Sequence, residues 1–213
     1  MSEENQIILD DQKKINLKSI FINNKKIFIF ILILLLGLIF FYFFYLENKK
    51  NIRTEISEQY NRSIINYKNN PNLAISEMKK IINIKDSTYS PLALYFLLDN
   101  DLINNKNEIN QYFDLLINET KLEEEIKGLI IYKKGLYNAN TATEDELLSI
   151  LNPLIKNENL WKSHSIFLIA EYFYSKNEKQ KSKEFFEKVL EMENSNPQIK
   201  IEAQKRLQRD FSV

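Results

Sequence analysis

The chain has 213 residues, and its 29 lysines and arginines balance its 29 aspartates and glutamates, so the formal net charge at pH 7 is zero. This balance argues against a nucleic-acid partner, because phosphate backbones are bound by a strongly basic face. One histidine and no cysteine leave no plausible zinc site, and three scattered glycines exclude a glycine-rich phosphate loop. Three glycines and four prolines also leave little for hairpin turns, so the sequence predicts an all-α fold.

The first predicted element is an apolar run, residues 27–46, which comes after a short N-terminal tail, residues 1–26. As a helix it would span about 30 Å, the thickness of a bilayer's hydrocarbon core, and a buried core helix rarely needs apolar residues all round for so long. A cleaved signal peptide has a shorter apolar region, of about 7 to 15 residues, that ends in small residues. This run ends in an aromatic cluster, residues 40–45, so we predict an uncleaved transmembrane anchor helix.

The orientation of this anchor is predicted from the size of the domain on its C-terminal side. Five lysines precede the run and four basic residues lie shortly after it, so the count of positive charges does not decide the orientation. Long domains cross a membrane largely regardless of flanking charge. We therefore expect a single-pass protein with a cytoplasmic N-terminus and a C-terminal domain on the far side.

Residues 47–69 are predicted to continue the anchor helix as an amphipathic extension, because apolar side chains recur every three or four residues. These side chains belong to Ile52, Ile56, Tyr60, Ile64 and Tyr67. The stripe can pack on its own domain or pair with a partner's helix, and the pattern does not distinguish the two. Lys49, Lys50 and Arg53 suit either anionic lipid headgroups or plain solvation.

The remaining domain, residues 70–213, is predicted to consist of successive helices joined by short loops. Thr143 and Glu146 have the spacing of a capping box, and Pro153 predicts a kink or a late break in the helix that they begin. Prolines suited to a first helical turn stand at three other helix starts, Pro71, Pro91 and Pro197. About nine helices result, and helical hairpins stacked in chain order form an α-solenoid.

One helix pair, residues 163–196, fits the tetratricopeptide pattern, a helical hairpin of about 34 residues. Ala170 and Ser182 fall at its small positions, where the two helices must approach closely. Its large and aromatic positions hold Ile169, Phe173, Phe186 and Val189. An earlier pair, residues 91–118, fits poorly because Leu97 and Ile109 fall at the small positions. We predict a degenerate tetratricopeptide-like solenoid with one good repeat, and an irregular helical bundle is the alternative.

A family resemblance is most specific in the stretch TEDELLSILNPLIKNENLWKSHSIFLIAEYFYSKNEKQKSKEFFEKVLEMENSNPQIKIEAQKRL. It contains a Leu-Asn-Pro-Leu helix end at 151–154, Trp161 at the next helix start, and a small-aromatic-charged closing sequence at 170–174. Together with the apolar run, it resembles the α-proteobacterial branch of the YfgM-like family, ancillary subunits of the SecYEG translocon. The resemblance implies a single-span inner-membrane protein with a tetratricopeptide-like periplasmic domain. It also implies translocon subunits and periplasmic chaperones as partners.

No catalytic, cofactor-binding or metal-binding residue is predicted. His164 lies one turn after Trp161, and packing or surface exposure explains it better than catalysis. Glu123–Glu125 is typical of a charged helix start. Trp161 is of the residue type most typical of a binding hot spot, but at a helix start in a packed solenoid we expect it in the core.

The sequence therefore favours a non-catalytic, membrane-anchored scaffold for protein–protein interaction, with no cofactor and no small-molecule substrate. Stacked helical hairpins provide an extended groove for peptides or partner helices. The alternative is a structural subunit of another envelope assembly, such as the machinery of cell division or cytochrome maturation. An enzyme with a hidden site is the least favoured interpretation. The partner-binding residues and the oligomeric state do not follow from the sequence.

Overall fold

The computed structural model describes residues 25–211, and this part of the chain contains nine α-helices and no strand. The all-α prediction is confirmed for these residues. Most of the predicted tail, residues 1–24, lies outside the described range. The helices are α1 (Lys25–Asn66), α2 (Pro71–Ile84), α3 (Tyr89–Asp99), α4 (Lys106–Glu119), α5 (Glu124–Asn138), α6 (Glu144–Lys156), α7 (Lys162–Ser175), α8 (Lys179–Glu191) and α9 (Pro197–Phe211).

The chain divides into two compact units between Glu55 and Ile56. In the first unit, α1 carries the apolar run 27–46, whose large apolar side chains are all exposed. The helix is long and apolar enough to cross a membrane, because about 20 apolar residues span a hydrocarbon core. A signal sequence near an N-terminus can also form a helix that is long and apolar enough by this criterion.

The division between the two units falls inside the predicted extension, residues 47–69. In the second unit, Ile56 is buried in a core cluster, and Tyr60 and Ile64 pack against the same cluster. Ile52, which belongs to the first unit, is exposed. From Ile56 onward, the stripe therefore packs on its own domain.

The main contacts between helices of the second unit join elements that are close in chain order. α7 and α8 pack along each other most extensively, with α2 and α3 next, whereas α3 and α4 touch little. Helices two steps apart also meet, namely α2 with α4, α5 with α7, and α7 with α9. The core is thus assembled stepwise along the chain.

The central helix of the C-terminal half is α7, which separates two core clusters. Ile169 and Phe173 belong to the cluster shared with α5 and α6. Ile166 and Ala170 belong to the next cluster, which includes Phe186 of α8 and also reaches α9. Burial on two sides explains why α7 is apolar around most of its circumference.

α7 and α8 approach closely where two small residues meet. Ala170 and Ser182 are fully buried, and the Ser182 hydroxyl donates a hydrogen bond of 2.9 Å to the Ala170 carbonyl oxygen. Side chains this small let two helix backbones approach, while the bond satisfies a hydroxyl that water cannot reach. The two positions that the spacing predicted to be small therefore lie against each other.

The ends of α6 are organised by local hydrogen bonds. Glu146 N donates to Thr143 Oγ1 at 3.3 Å and Thr143 N to Glu146 Oε2 at 2.8 Å, which confirms the capping box. The helix continues through Pro153 and ends three residues later at Lys156, which agrees with the predicted late break. At this end the Asn159 amide donates to the Leu154 carbonyl oxygen at 2.8 Å, one of the acceptors that a helix end leaves free.

Candidate functional site

The most distinctive surface of the second unit is built around Trp161, the only tryptophan in the sequence. Its indole Nε1 donates a hydrogen bond of 2.9 Å to the Glu125 carbonyl oxygen on α5. The indole also stacks on Tyr132, with ring centroids 5.6 Å apart. Both partners lie on one face of α5, seven residues apart, so two contacts hold the ring against that helix.

A glycine makes this approach possible. A Cβ atom at Gly128 would lie 2.7 Å from Trp161 Cδ1, closer than two carbon atoms normally pack. Gly128 stands between the two α5 residues that hold the ring, three residues after Glu125. The absence of a side chain at this position therefore lets the indole lie directly on the helix backbone.

The loop that carries Trp161 is fixed by Asn159. The Asn159 side chain accepts a hydrogen bond of 2.9 Å from the Trp161 backbone N–H. Its amide donates to the Leu154 and Asn157 carbonyl oxygens at 2.8 and 2.9 Å. One side chain thus ties together the end of α6, the loop and the start of α7.

The loop between α8 and α9 is attached to the same region. The Asn196 backbone N–H donates to the hydroxyl of Ser163, a buried residue on the first turn of α7, at 3.2 Å. Beside it, Ser195 is 8% exposed, and its hydroxyl oxygen is buried without a hydrogen-bond partner. A buried hydroxyl without a partner is uncommon and carries a desolvation cost.

Together these elements line an open groove of about 1120 Å³, which we call the tryptophan groove. Its lining comes from α5, the end of α6, the loop 157–161, the start of α7, the loop before α9 and the first residue of α9. The lining residues that matter below are Glu124, Glu125, Gly128, Glu158, Leu160, Trp161, His164 and Ser195. Leu160 is 63% exposed, so a large apolar side chain stands in solvent beside the indole.

Burial shifts the pKa values of two side chains at the groove, and acidic groups outnumber basic ones along its lining. Burial lowers the pKa of His164 below its ordinary value of 6.5, because a poorly solvated imidazole resists protonation. Burial likewise raises the pKa of Tyr132. The charged groups at the groove are the carboxylates of Glu124, Glu125 and Glu158 and the ammonium of Lys127.

The residues weighed from the sequence lie together here. Trp161 packs against the core cluster that α7 shares with α5 and α6, as expected, but it stays half-buried and also lines the groove. His164 packs against the Trp161 and Tyr132 rings, at centroid distances of 5.2 and 5.7 Å. The predicted charged helix start, Glu123–Glu125, begins α5 and contributes two carboxylates to the groove.

Sequence reasoning missed the other half of the groove. The exposure of Leu160 could have been predicted, since a leucine next to a tryptophan in a polar loop forms an apolar pair that faces solvent. The close approach at Gly128 was harder to predict. Its only indication is a second glycine seven residues later, Gly135, on a helix that needs no glycine. Nothing in the sequence indicated the roles of Ser195 and Asn159, since serine and asparagine are ordinary turn residues in loops.

Among the described residues, 25–211, no group of three or more His, Asp or Glu side chains is placed to hold a metal ion. The one histidine of the sequence packs against the rings of Tyr132 and Trp161. What the arrangement presents is a mainly apolar surface with carboxylates at its edge.

No protein-family model matches the chain, no curated protein matches it, and no solved structure matches it.

Proposed function

We propose that this protein is a non-catalytic scaffold for protein–protein interaction, anchored in a membrane by the apolar part of α1. The observation that carries the proposal is the exposure of every large apolar side chain in the run 27–46. Leaving such a surface in water is unfavourable by roughly 25 cal/mol per Å², and a bilayer removes that cost. The run's aromatic end and its lack of a small-residue cleavage site support a retained anchor over a cleaved signal.

The second unit supports an interaction role. We infer a tetratricopeptide-like solenoid from the close α7–α8 crossing at Ala170 and Ser182 and from helices that pack on near neighbours in chain order. Such solenoids bind partner segments along their surfaces. The tryptophan groove is the surface of this unit that best suits such binding, because it joins an exposed leucine and a half-buried tryptophan.

The inferred setting is the bacterial inner membrane, with a cytoplasmic N-terminus and a periplasmic second unit. The inferred partners are subunits of the SecYEG export translocon and periplasmic chaperones. This assignment rests on the resemblance to the YfgM-like family, which covers the architecture from about residue 20 to the end and is most specific in residues 143–207, and on the size of the domain C-terminal to the anchor. A structural role in cell division or cytochrome maturation is the second candidate, since a single anchor and helical repeats suit it equally well.

The test is crosslinking in intact cells, with purification of the tagged full chain from solubilised membranes and identification of its adducts by mass spectrometry. Recovery of the translocon channel and periplasmic chaperones is the expected result. Recovery of division or cytochrome-maturation proteins would move the assignment to the second candidate. Cytoplasmic adducts would overturn the orientation.

The anchor is tested separately. Residues 56–213, directed to the same compartment without α1's apolar run, are expected to rescue a deletion strain poorly, because tethering keeps the scaffold at the membrane. Full rescue by that fragment would contradict the tethered part of the proposal.

A further inference from the structure

We propose that the tryptophan groove binds a peptide segment of a protein partner that presents a large apolar side chain next to a lysine or arginine. This inference rests on the proposed scaffold function and names the chemistry of the partner at one surface. Three features of the groove support this inference. Its lining is mainly apolar, carboxylates outnumber ammonium groups along it, and its loops are already held in place before a partner binds.

The apolar feature sets what the segment must bury. Leu160 is 63% exposed and adjoins the half-buried Trp161, and the groove measures about 1120 Å³. Binding sites for compact ligands enclose roughly 300 to 1,000 Å³, so several side chains fit here. An apolar side chain placed between the leucine and the indole would remove both from water.

The charge feature sets which residues flank the apolar one. Three carboxylates line the groove, against one ammonium, that of Lys127. Glu158 pairs with Lys162 of this chain. Within the described residues, Glu124 and Glu125 have no ion-pair partner. Two unmatched carboxylates on the first turn of α5 favour a segment with basic residues and disfavour an acidic one.

The third feature is that the groove is already formed. Asn159 holds the Trp161 loop through three hydrogen bonds, and the Ser163 hydroxyl holds the loop before α9. A preformed surface loses less conformational entropy on binding. In that loop Ser195 is 8% exposed, and its hydroxyl oxygen is buried without a hydrogen-bond partner.

The experiment titrates full-length protein in lipid nanodiscs with three matched, fluorophore-labelled synthetic peptides. One contains leucines and lysines, the second leucines and glutamates, and the third serines and lysines, and none contains tryptophan. Peptide anisotropy measures binding, and empty nanodiscs correct for binding to lipid. Because Trp161 is the only tryptophan, its emission reports whether the peptide occupies the groove.

The leucine–lysine peptide is expected to bind and to shift the Trp161 emission. Exchanging its lysines for glutamates should weaken binding about tenfold or more, and exchanging its leucines for serines should abolish it. Equal binding of the first two peptides, or binding of none of the three, would overturn the proposal.

Variants locate the site. Leu160→Asp places a charge on the exposed apolar edge and should weaken the leucine–lysine peptide about tenfold or more. The double change Glu124→Lys and Glu125→Lys should reverse the preference between lysine and glutamate peptides. Leu136→Asp is the matched control, because Leu136 is 52% exposed on α5 but lies outside the groove. Circular dichroism checks that each variant is folded.

The outcomes separate this inference from the scaffold function. If Leu160→Asp binds the peptide as the unchanged protein does, the groove is not the site. If that variant also keeps the same crosslinked partners in cells, the scaffold proposal stands and the groove proposal falls. If the peptides behave as expected but no envelope partner is recovered in cells, the groove proposal stands and the partner assignment falls.

Discussion

The α7–α8 hairpin and the α3–α4 pair belong to the same series of helices, yet they pack in different ways. At the α7–α8 crossing, Ala170 and Ser182 are fully buried and joined by a hydrogen bond. At the α3–α4 pair, the corresponding positions hold Leu97 and Ile109, which are buried in the core cluster that also contains Ile56, and the two helices touch little. Small side chains let helices approach, whereas large ones fill the core between them.

The difference explains which helices form hairpins. α3 packs extensively on α2 rather than on α4. At the start of α3, the hydroxyl of the fully buried Ser90 donates to the Ile81 carbonyl oxygen of α2 at 2.7 Å. Both closely packed hairpins, α2–α3 and α7–α8, thus have a buried serine bonded to a carbonyl of the preceding helix. The position of small residues, and not the order of helices alone, selects the partner helix.

The largest expected effect comes from Leu97→Ala. If Leu97 fills the core, as its burial indicates, the variant should lose about 2 to 5 kcal/mol of unfolding free energy, because a cavity remains. Urea unfolding of the full chain in detergent, monitored by circular dichroism, measures this loss. Leu92→Ala on the same helix is the control, since Leu92 is exposed. A tolerated Leu97→Ala would mean that α3 and α4 can close up like α7 and α8.

Ala170→Leu tests the opposite side of the comparison. Added methyl groups at the α7–α8 crossing should force the helices apart and cost about 1 to 3 kcal/mol. The control is Glu184→Leu, a change to the same side chain on the exposed face of α8, and both are measured by urea unfolding. Equal stability of the two variants would show that the crossing does not require a small residue.

Gly135→Ala extends the comparison to α5–α6. A Cβ atom at Gly135 would lie 2.5 Å from Leu151 Cδ2, inside the core. Alanine normally stabilises a helix interior by about 0.5 to 1 kcal/mol over glycine, but repacking Leu151 should cost more. We expect a net loss of about 1 kcal/mol in thermal or urea unfolding. Gly37→Ala should show no loss, because apart from its chain neighbours and its own helix backbone nothing lies within 4 Å of the added Cβ. A stabilised Gly135→Ala would contradict the steric argument.

Ser182→Ala distinguishes the contribution of a small side chain from that of the hydrogen bond at the α7–α8 crossing. Alanine keeps the close approach and removes only the bond to the Ala170 carbonyl, so we expect a loss of about 0.5 to 1 kcal/mol. Ser90→Ala is the equivalent change in the α2–α3 hairpin and should cost a similar amount. Losses as large as that of Ala170→Leu would mean that the bonds, rather than the small volumes, hold these hairpins together.

The smallest expected effect is a pH dependence that comes from His164 on α7. Burial lowers the pKa of this imidazole below 6.5, so the unfolded chain takes up the proton at higher pH than the folded chain does. The stability tied to the neutral imidazole is therefore complete above pH 6.5 and is lost as the pH falls toward the lowered folded value. His164→Gln should lose less stability than the unchanged protein between pH 7 and pH 5. Parallel pH profiles in urea unfolding would show that burial does not suppress protonation.

Much of the local structure could be predicted from the sequence, because it depends on residues a few positions apart. Helix periodicity, the Thr143–Glu146 capping box and the late break after Pro153 all arise within one or two turns. The meeting of Ala170 with Ser182 was also predictable, since a short hairpin loop brings fixed spacings together. The groove was not predictable, because Trp161 and Glu125 are 36 positions apart and belong to different helices.

By itself, the sequence determined that the chain is helical, where its apolar run lies, and which face of each helix carries apolar side chains. Only the tertiary structure decided that α3 pairs with α2, that Gly128 admits the indole of Trp161, and that Leu160 and two unmatched carboxylates share one surface. The physical reason is the distance along the chain over which each interaction acts. Backbone hydrogen bonding and helix caps depend on neighbours in the chain, whereas pairing and grooves depend on which distant side chains leave room for each other.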